Sequence, residues 1–263
     1  MPPWLDLPGG DASMAFWRRK KENRKTAAGT VGKVRVSAVI LGGGSSSRMG
    51  GEDKLAAMLN GRSVLAWSLR AFQACDFVQE IILVTHEGGE RNAFLSCDGC
   101  DKVARVVHGG SNRTASAYQG VMAVDPGAEI ILIHDGARPF VSEAVIKSAV
   151  SGAEKYGAAL PAVAVTDTIK VVEDGFVSET PDRETLFAAQ TPQAFRSELI
   201  KAALTDAVEK GLELTDDCAA VERLGMRVRL VEGDNMNRKI TVPSDLVIAE
   251  SIIQIRNSKK EQE

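Results

Sequence analysis

Short apolar runs alternate with segments of helical periodicity from about residue 34 onward, and this alternation limits the folds that the chain can adopt. Leu65, Leu69 and Phe72 recur at the spacing of an amphipathic helix, and comparable patterns occur around Ile146 and Leu199. Strands that alternate with such helices are typical of βαβ units and a parallel sheet. We therefore predict an α/β fold: a Rossmann-like, mostly parallel twisted sheet with helices on both faces. The predicted strands are residues 34–41, 80–85, 103–107, 129–133 and 158–165.

One segment interrupts this pattern. Residues 169–177 place Asp174 and Gly175 between two β-prone runs, which is a strong signal for a β-hairpin. An isolated hairpin is only marginally stable, so it needs a surface to pack against. We expect that surface on a second subunit, and we predict a dimerisation arm at about residues 166–187, inserted into a domain of residues 34–257.

The two ends of the chain differ in texture from this domain. Residues 1–33 contain Pro, Gly and a basic cluster without sustained periodicity, which predicts a flexible extension. A solvated leader explains the basic cluster more simply than an anionic docking tail does. Residues 258–263 are predicted to be a flexible tail.

Charge and hydropathy argue against nucleic-acid and membrane partners. The 32 basic and 35 acidic residues give a net charge of -3, which leaves no positive excess for a nucleic acid. No apolar run approaches the roughly 20 residues that span a bilayer, and the first residues lack the apolar core of a secretory signal. We therefore expect a cytoplasmic protein, in which local positive charge meets any anionic substrate.

The four cysteines are too few for a disulfide scaffold, and a reducing compartment would keep them as thiols. Cys97 and Cys100 form a C-x-x-C motif, but Cys75 and Cys218 lie far away in sequence. The sequence therefore does not support a complete zinc site.

A glycine-rich loop follows the first predicted strand. It begins with Gly42, Gly43, Gly44 and Ser45. Backbone N–H groups of such a loop approach phosphate oxygens closely, and ligands of α/β sheets bind at the carboxyl ends of the strands. The Gly-Lys-Ser/Thr of a Walker A loop is missing, and Ser47 replaces the third glycine of the dinucleotide fingerprint. Arg48 and Lys54 are therefore candidates for stabilising the charge of a polyphosphate in a transition state.

Six further segments occur in an order that is highly specific. They are 109–116 (GGSNRTAS), 134–139 (HDGARP), 166–170 (TDTIK), 189–193 (AQTPQ), 215–217 (TDD) and 237–241 (NRKIT). Together with the glycine-rich loop, they resemble the motifs of 2-C-methyl-D-erythritol 4-phosphate cytidylyltransferases over about residues 36–253. The resemblance implies a fold of the nucleotide-diphospho-sugar transferase type. It also implies transfer of CMP from CTP to methylerythritol 4-phosphate, with release of pyrophosphate, in the non-mevalonate synthesis of isoprenoid precursors.

The resemblance further implies how the nucleotide is held. The glycine-rich loop binds the nucleotide, while Arg48 and Lys54 stabilise the pentacoordinate transition state at the α-phosphorus. Residues around Gly110, Ser111 and Ser116 read the cytosine base. Ordinary N-capping of a helix by Ser111 or Ser116 is a structural interpretation of the same residues, and both roles are compatible.

His134 and Asp135 end the apolar fourth strand, and the resemblance implies that Asp135 and Gly136 bind the nucleotide. A carboxylate buried there is costly without a cation, so we place Asp135 near the Mg²⁺ ion that accompanies the triphosphate. His134 is interpreted as a hydrogen-bonded structural histidine, because a substrate phosphate is already an anion and needs no general base.

The second substrate is implied to bind through Thr166, Lys239 and Arg138. An arginine is common in the family where this chain has Thr166, and a longer polar side chain is common where it has Ala115. A threonine hydroxyl brings no charge to a phosphate, so Lys239 and Arg138 must supply more of the attraction. The family's arm embraces a partner subunit and helps to complete its active site, which implies a homodimer.

Three other functions fit parts of the sequence. A CDP-ribitol-forming enzyme shares the loop and the chemistry, but it usually has a Ser-Val pair where this chain has Gly136 and Ala137. A dinucleotide-dependent oxidoreductase is disfavoured by the missing third glycine. A nucleotide sensor without catalysis is disfavoured because Arg48, Lys54 and Lys239 are all present.

Overall fold

Alternate residues of the first strand face two different hydrophobic cores. In the computed structural model, which describes residues 34–43 and 53–260, Ala38 and Ile40 pack into one core and Val39 into the other. Successive side chains of a strand point to opposite faces, so a strand buried on both faces needs helices on both sides of its sheet. The predicted α/β architecture is confirmed.

The helices divide between the two faces of the sheet. The strands, in chain order, are β1 (Val36–Leu41), β2 (Met58–Leu59), β3 (Arg62–Ser63), β4 (Val78–Thr85), β5 (Val103–His108), β6 (Ile130–Asp135), β7 (Ala158–Ala164), β8 (Val171–Glu173), β9 (Phe176–Glu179), β10 (Phe187–Ala189), β11 (Gln193–Arg196) and β12 (Arg229–Glu232). The α-helices are α1 (Val64–Gln73), α2 (Glu90–Ser96), α3 (Arg113–Met122), α4 (Glu143–Tyr156), α5 (Ser197–Glu209), α6 (Asp217–Arg223) and α7 (Ser244–Lys260). Helices α1, α4 and α7 pack on the face that contains Ile40, whereas α3, α5 and α6 pack on the face that contains Val39.

The central sheet is mostly parallel. Strands β5, β4, β1 and β6 are parallel neighbours in that order. Strand β11 lies antiparallel between β6 and β7, and β7 also pairs with β10 in the antiparallel sense and with β12 in the parallel sense. The carboxyl ends of β1, β4, β5 and β6 therefore meet at one edge of the sheet, which is where α/β proteins bind ligands.

The ends of several elements differ from the sequence prediction. The strand predicted over 129–133 runs from Ile130 to Asp135, so Asp135 is still a sheet residue. The end of α5, in contrast, agrees with the sequence, because the helix ends at Glu209 and Gly211 follows with a φ of 63°, as expected for a glycine that terminates a helix. Strands β10, β11 and β12 escape prediction, because three or four residues give too short a pattern to detect.

The hairpin follows β7 and is confirmed. Strands β8 and β9 pair antiparallel with each other in a sheet of their own. The turn residues Asp174 and Gly175 have φ values of 51° and 84°, the positive values that a tight hairpin turn requires. Residues 171–180 are all exposed. The role of this hairpin in dimerisation stays a prediction.

Among the described residues, every helix is too short or too polar to cross a membrane.

Candidate active site

Two glycines allow close backbone contacts at the carboxyl edge of the sheet, Gly136 against β1 and Gly42 against β4. Leu41 pairs with Asp135, and the Gly136 N–H donates to the Leu41 carbonyl at 2.9 Å. A Cβ atom on Gly136 would lie 2.9 Å from that carbonyl oxygen, and one on Gly42 would lie 3.0 Å from the Val84 oxygen. Both predicted nucleotide-binding glycines therefore have a packing requirement as well.

Asp135 lies at the centre of a cluster of cations. Its carboxylate is 2.8 Å from Lys239 Nζ, 3.4 Å from Arg113 Nη2 and 3.7 Å from Arg138 Nε. Burial alone would raise the pKa of Asp135, but these cations hold it well below its usual value. The structure thus brings together Asp135, Arg138 and Lys239, three of the residues predicted for the site, and supplies the cations that a buried carboxylate requires.

Arg113 links this cluster to a second buried carboxylate. Its Nη1 and Nη2 atoms donate to the two carboxylate oxygens of Asp217 at 3.0 and 2.8 Å, a bidentate geometry. Burial alone would lower the pKa of Arg113, but Asp217 and Asp135 raise it above its usual value. Arg113 therefore stays charged between two carboxylates.

Both Nη atoms of the Arg138 guanidinium donate to backbone carbonyls. Its Nη1 atom donates to the Asn237 carbonyl at 2.8 Å, and Nη2 donates to the Ala189 carbonyl at 3.3 Å. Its side chain is only 13% exposed, against 37% for Lys239. Lys239 therefore presents the more accessible charge, while Arg138 ties the end of β10 to the segment that carries Lys239.

His134 is fully buried below Asp135. Thr191 Oγ1 accepts a hydrogen bond from the Asp135 N–H and lies 3.0 Å from His134 Nδ1, while His134 Nε2 lies 3.1 Å from the Arg138 carbonyl. A carbonyl only accepts, so Nε2 carries the proton and Nδ1 accepts from the threonine hydroxyl. The Phe72 ring packs on the imidazole with centroids 4.9 Å apart. These contacts support the structural interpretation of His134.

Burial makes His134 a source of acid sensitivity. It lowers the pKa of the imidazole from 6.5 to about 4. As the pH falls, the imidazole is protonated in the unfolded chain before it is protonated in the folded protein. The contribution of the neutral imidazole to the free energy of unfolding is therefore fully present above pH 6.5 and is lost progressively down to about pH 4. We expect this group to remove about 3 kcal/mol over that window. Denaturant unfolding of the wild-type protein and His134→Gln between pH 7 and 4.5 measures it, and equal slopes in both proteins would contradict the assignment.

The predicted base-reading segment adopts a helix N-terminus, with one correction. The N-cap of α3 is Asn112, whose side-chain oxygen accepts from the Ala115 N–H at 2.8 Å, so capping by Ser111 or Ser116 is wrong. Ser116 Oγ instead donates to the Asn112 carbonyl at 2.8 Å and accepts from the Gly110 N–H at 3.2 Å. Gly110 and Ser116 are thereby held together, whereas Ser111 is exposed.

A pocket of about 220 Å³ opens above Asp135. Arg113, Arg138 and Lys239 line it together with Gln193 and Asp216. A larger and open cleft of about 420 Å³ lies between the β2–β3 hairpin and α2, and it contains none of these residues. The smaller pocket is the candidate active site, because it holds the clustered charges at the carboxyl edge of the sheet.

Other predicted site residues do not line this pocket or lie outside the residues that the structure describes. Thr166 is exposed at the base of the arm, where its carbonyl accepts from Arg183 Nη1 at 2.9 Å, and it does not line the pocket. Lys54 is half-buried in the turn before β2. Gly44, Ser45 and Arg48 lie outside the described residues, so their assignments stay predictions.

Comparison with known proteins identifies the family. The family model of 2-C-methyl-D-erythritol 4-phosphate cytidylyltransferase (IspD) matches residues 36–255. The chain belongs to this family. It is 44% identical to the enzyme of that name from Caldanaerobacter subterraneus subsp. tengcongensis over 225 residues, which are 83% of this chain and 99% of the relative. It is 43% identical to the one from Desulforamulus reducens over 227 residues, or 84% and 97% of the two chains.

Solved structures agree with the cytidylyltransferase family. The 4-diphosphocytidyl-2C-methyl-D-erythritol synthase of Anaerococcus prevotii superposes with a TM-score of 0.76 at 32% identity, covering 84% of this chain and 97% of that one. The cytidylyltransferase of Thermus thermophilus gives 0.69 at 33% identity, covering 82% and 98%. The predicted family, fold class and enzyme class, a nucleotidyltransferase, are therefore confirmed.

The cytidylyltransferase site contains residues that sequence reasoning did not assign. Arg113, Asp217 and Gln193 all lie within motif segments of the sequence, but a motif does not state which member faces which. The available signal was a charged residue, Arg113, directly after a glycine-rich turn, and a second acidic residue, Asp217, beside Asp216. Their pairing appears only in the fold.

The residues fit the Mg²⁺ ion that the sequence predicts. Mg²⁺ keeps several waters and is usually bound by one or two carboxylates together with substrate phosphates. Asp135 offers one carboxylate to the pocket, and its side chain is 12% exposed. Among the described residues, no group of three or more His, Cys, Asp and Glu side chains is arranged to hold a metal ion without such a substrate.

Proposed function

We propose that this protein transfers CMP from CTP to 2-C-methyl-D-erythritol 4-phosphate, forming 4-diphosphocytidyl-2-C-methyl-D-erythritol and pyrophosphate. The observation that carries the proposal is the cluster around Asp135 at the carboxyl edge of a sheet of this family's fold. Three cations, Arg113, Arg138 and Lys239, line the pocket with two carboxylates, Asp135 and Asp216, which leaves one positive charge in excess among the lining side chains. Such a pocket favours anionic phosphate groups.

The chemistry requires positioning and charge stabilisation more than proton transfer. A phosphate oxygen of methylerythritol phosphate forms a bond to the α-phosphorus of CTP as the bond to the leaving pyrophosphate breaks, in line. Lys54 and Arg48 stabilise the charge that builds on the α-phosphoryl oxygens. Lys239 and Arg138 attract the phosphate of the second substrate. Bound at Asp135, Mg²⁺ would neutralise part of the triphosphate charge.

The arm fits the role of a contact between two copies of this chain. Val172, Phe176 and Val177 are 57%, 79% and 60% exposed. Apolar side chains in such a cluster mark an interaction surface on a soluble protein. We infer a homodimer in which the arm covers the partner, so that Thr166 approaches the partner's pocket rather than that of its own chain.

Charge on the arm should therefore disrupt both assembly and activity. We expect Phe176→Asp to shift the protein from dimer to monomer and to lower kcat/KM for methylerythritol phosphate at least roughly tenfold, since burying an unpaired carboxylate opposes association. Sedimentation velocity and a pyrophosphate-release assay measure the two effects. Val247→Asp is a matched control, because Val247 is 66% exposed on α7, away from the arm. A dimeric, active Phe176→Asp protein would contradict the inference.

The proposed reaction is tested by pyrophosphate release from CTP and Mg²⁺, with methylerythritol 4-phosphate and ribitol 5-phosphate compared as second substrates. Release with methylerythritol phosphate alone is expected. Release with ribitol phosphate alone would leave the mechanism unchanged but assign the alternative CDP-ribitol activity. No pyrophosphate release with either substrate would favour nucleotide binding without catalysis. Omitting Mg²⁺ tests the predicted metal requirement in the same assay. Cytoplasmic localisation also stays a prediction.

A further inference from the structure

Asp217 is almost completely buried, at 1% exposure, and the proposed chemistry gives it no direct role. Its carboxylate holds Arg113 through two hydrogen bonds of 3.0 and 2.8 Å. The same Nη2 atom of Arg113 lies 3.4 Å from Asp135. Asp217 therefore determines where the guanidinium sits relative to the carboxylate at the centre of the pocket.

Asp217 itself is fixed by its neighbours. Its backbone N–H and that of Cys218 both donate to Gln193 Oε1, each at 3.0 Å. The other end of the amide, Gln193 Nε2, donates to Asp216 Oδ2 at 2.9 Å. Because Gln193 belongs to β11 in the central sheet, the first turn of α6 is anchored to the sheet.

Arg113 connects this anchored turn of α6 to the segment that is proposed to bind the cytosine base. It is the first residue of α3, directly after the N-cap Asn112. Its two neighbours also contact the segment before α6: Asn112 Nδ2 lies 3.3 Å from Glu213 Oε1, and the Leu214 N–H donates to Thr114 Oγ1 at 2.9 Å. Three consecutive residues thus attach the start of α3 to residues 213–217, and Arg113 alone among them also reaches Asp135.

We propose that Arg113 and Asp217 are positioning residues that set the distance between the base-reading segment 110–116 and Asp135. The inference rests on the proposed function, in which CTP places its base at that segment and its phosphates near Asp135. A ligand that spans two points binds best when their separation is already fixed.

Two substitutions test the pair. Asp217→Asn keeps the shape but removes the charge and one of the two acceptors, while Arg113→Lys keeps the charge but cannot form the bidentate contact. We expect both variants to raise the Kd for CTP roughly tenfold, measured by calorimetry without a second substrate, and to reduce the preference for CTP over UTP. The KM for methylerythritol phosphate should change less than the Kd for CTP, because its proposed contact Lys239 is retained and is coupled to Arg113 only through Asp135.

A matched control separates positioning from loss of stability. Glu80 is another partly buried carboxylate, which accepts from Ser37 Oγ at 2.8 Å and from the Asp125 N–H at 2.9 Å, and it lies near the amino end of β4, at the edge of the sheet opposite to the pocket. Glu80→Gln should lower the free energy of unfolding and leave the Kd for CTP unchanged. If Asp217→Asn does not fold, Arg113→Lys decides the question.

The inference is overturned if the folded variants bind CTP as the wild type does. It is equally overturned if the variants keep the wild-type preference for CTP over UTP and only the fraction of folded, active protein falls, as it would in a variant that is merely unstable. Absence of turnover in the wild-type protein would refute the proposed reaction instead, and the calorimetric comparison of CTP binding would still decide whether Arg113 and Asp217 position the nucleotide site.

Discussion

Lys54→Ala should lower kcat by roughly 10²–10³-fold while changing the Kd for CTP by less than about fivefold. The reason is preorganisation. Asp53 accepts from the Leu55 N–H at 3.0 Å and from Asn92 Nδ2 at 3.1 Å, and Leu55 is buried in the core. The backbone on both sides of Lys54 is thus held in place, so its charge can stabilise the transition state without reorganising at the moment of reaction.

Single-turnover kinetics and calorimetry separate the two quantities. Lys147→Ala is the control, because Lys147 is an exposed cation on α4 and changes the total charge equally. Lys54→Arg keeps a cation and should recover part of the lost rate. Full turnover by Lys54→Ala would refute the catalytic assignment, and a loss of CTP affinity with an unchanged single-turnover rate would make Lys54 a binding residue only.

Asp135→Asn is expected to have opposite effects on catalysis and on anion binding. Without the carboxylate, the Mg²⁺ ion proposed there loses its protein ligand, and kcat/KM should fall roughly 10²–10³-fold. The cations remain: Arg113, Arg138 and Lys239 then line the pocket with the carboxylate of Asp216, so the excess positive charge among the lining side chains rises from one to two. Pyrophosphate without metal should therefore bind more tightly to the variant than to the wild type.

The same substitution should destabilise the protein. The pKa of Asp135 is held well below its usual value, so its charge contributes stability that is present above the unfolded pKa and is lost as the pH falls through the folded pKa. At neutral pH the variant lacks that contribution, and we expect a loss of about 3 kcal/mol in the free energy of unfolding. Asp206→Asn is the control, because the Asp206 carboxylate forms an ion pair with the exposed Lys210, 2.7 Å away at the end of α5. Weaker pyrophosphate binding to Asp135→Asn would contradict the charge argument.

The hairpin turn and helix α1 show what local sequence determines. Asp174 and Gly175 form a tight turn because their backbone tolerates positive φ values, a property of the two residues themselves. Leu65, Leu69 and Phe72 lie on one buried face of α1 because the helical repeat brings them there. Both features depend on neighbouring residues in the chain, and a pattern of neighbouring residues is what a sequence displays.

The charge cluster was decided by the tertiary structure. Lys239 and Asp135 are 104 positions apart, as are Arg113 and Asp217. Their contacts depend on the crossovers that bring β6, α3 and α6 to one edge, and on the backbone carbonyls that take up most of Arg138. The order of motifs in the sequence determined the fold and the reaction class. The contacts between charged side chains were determined by packing between residues far apart in the chain, where no local period or turn preference acts.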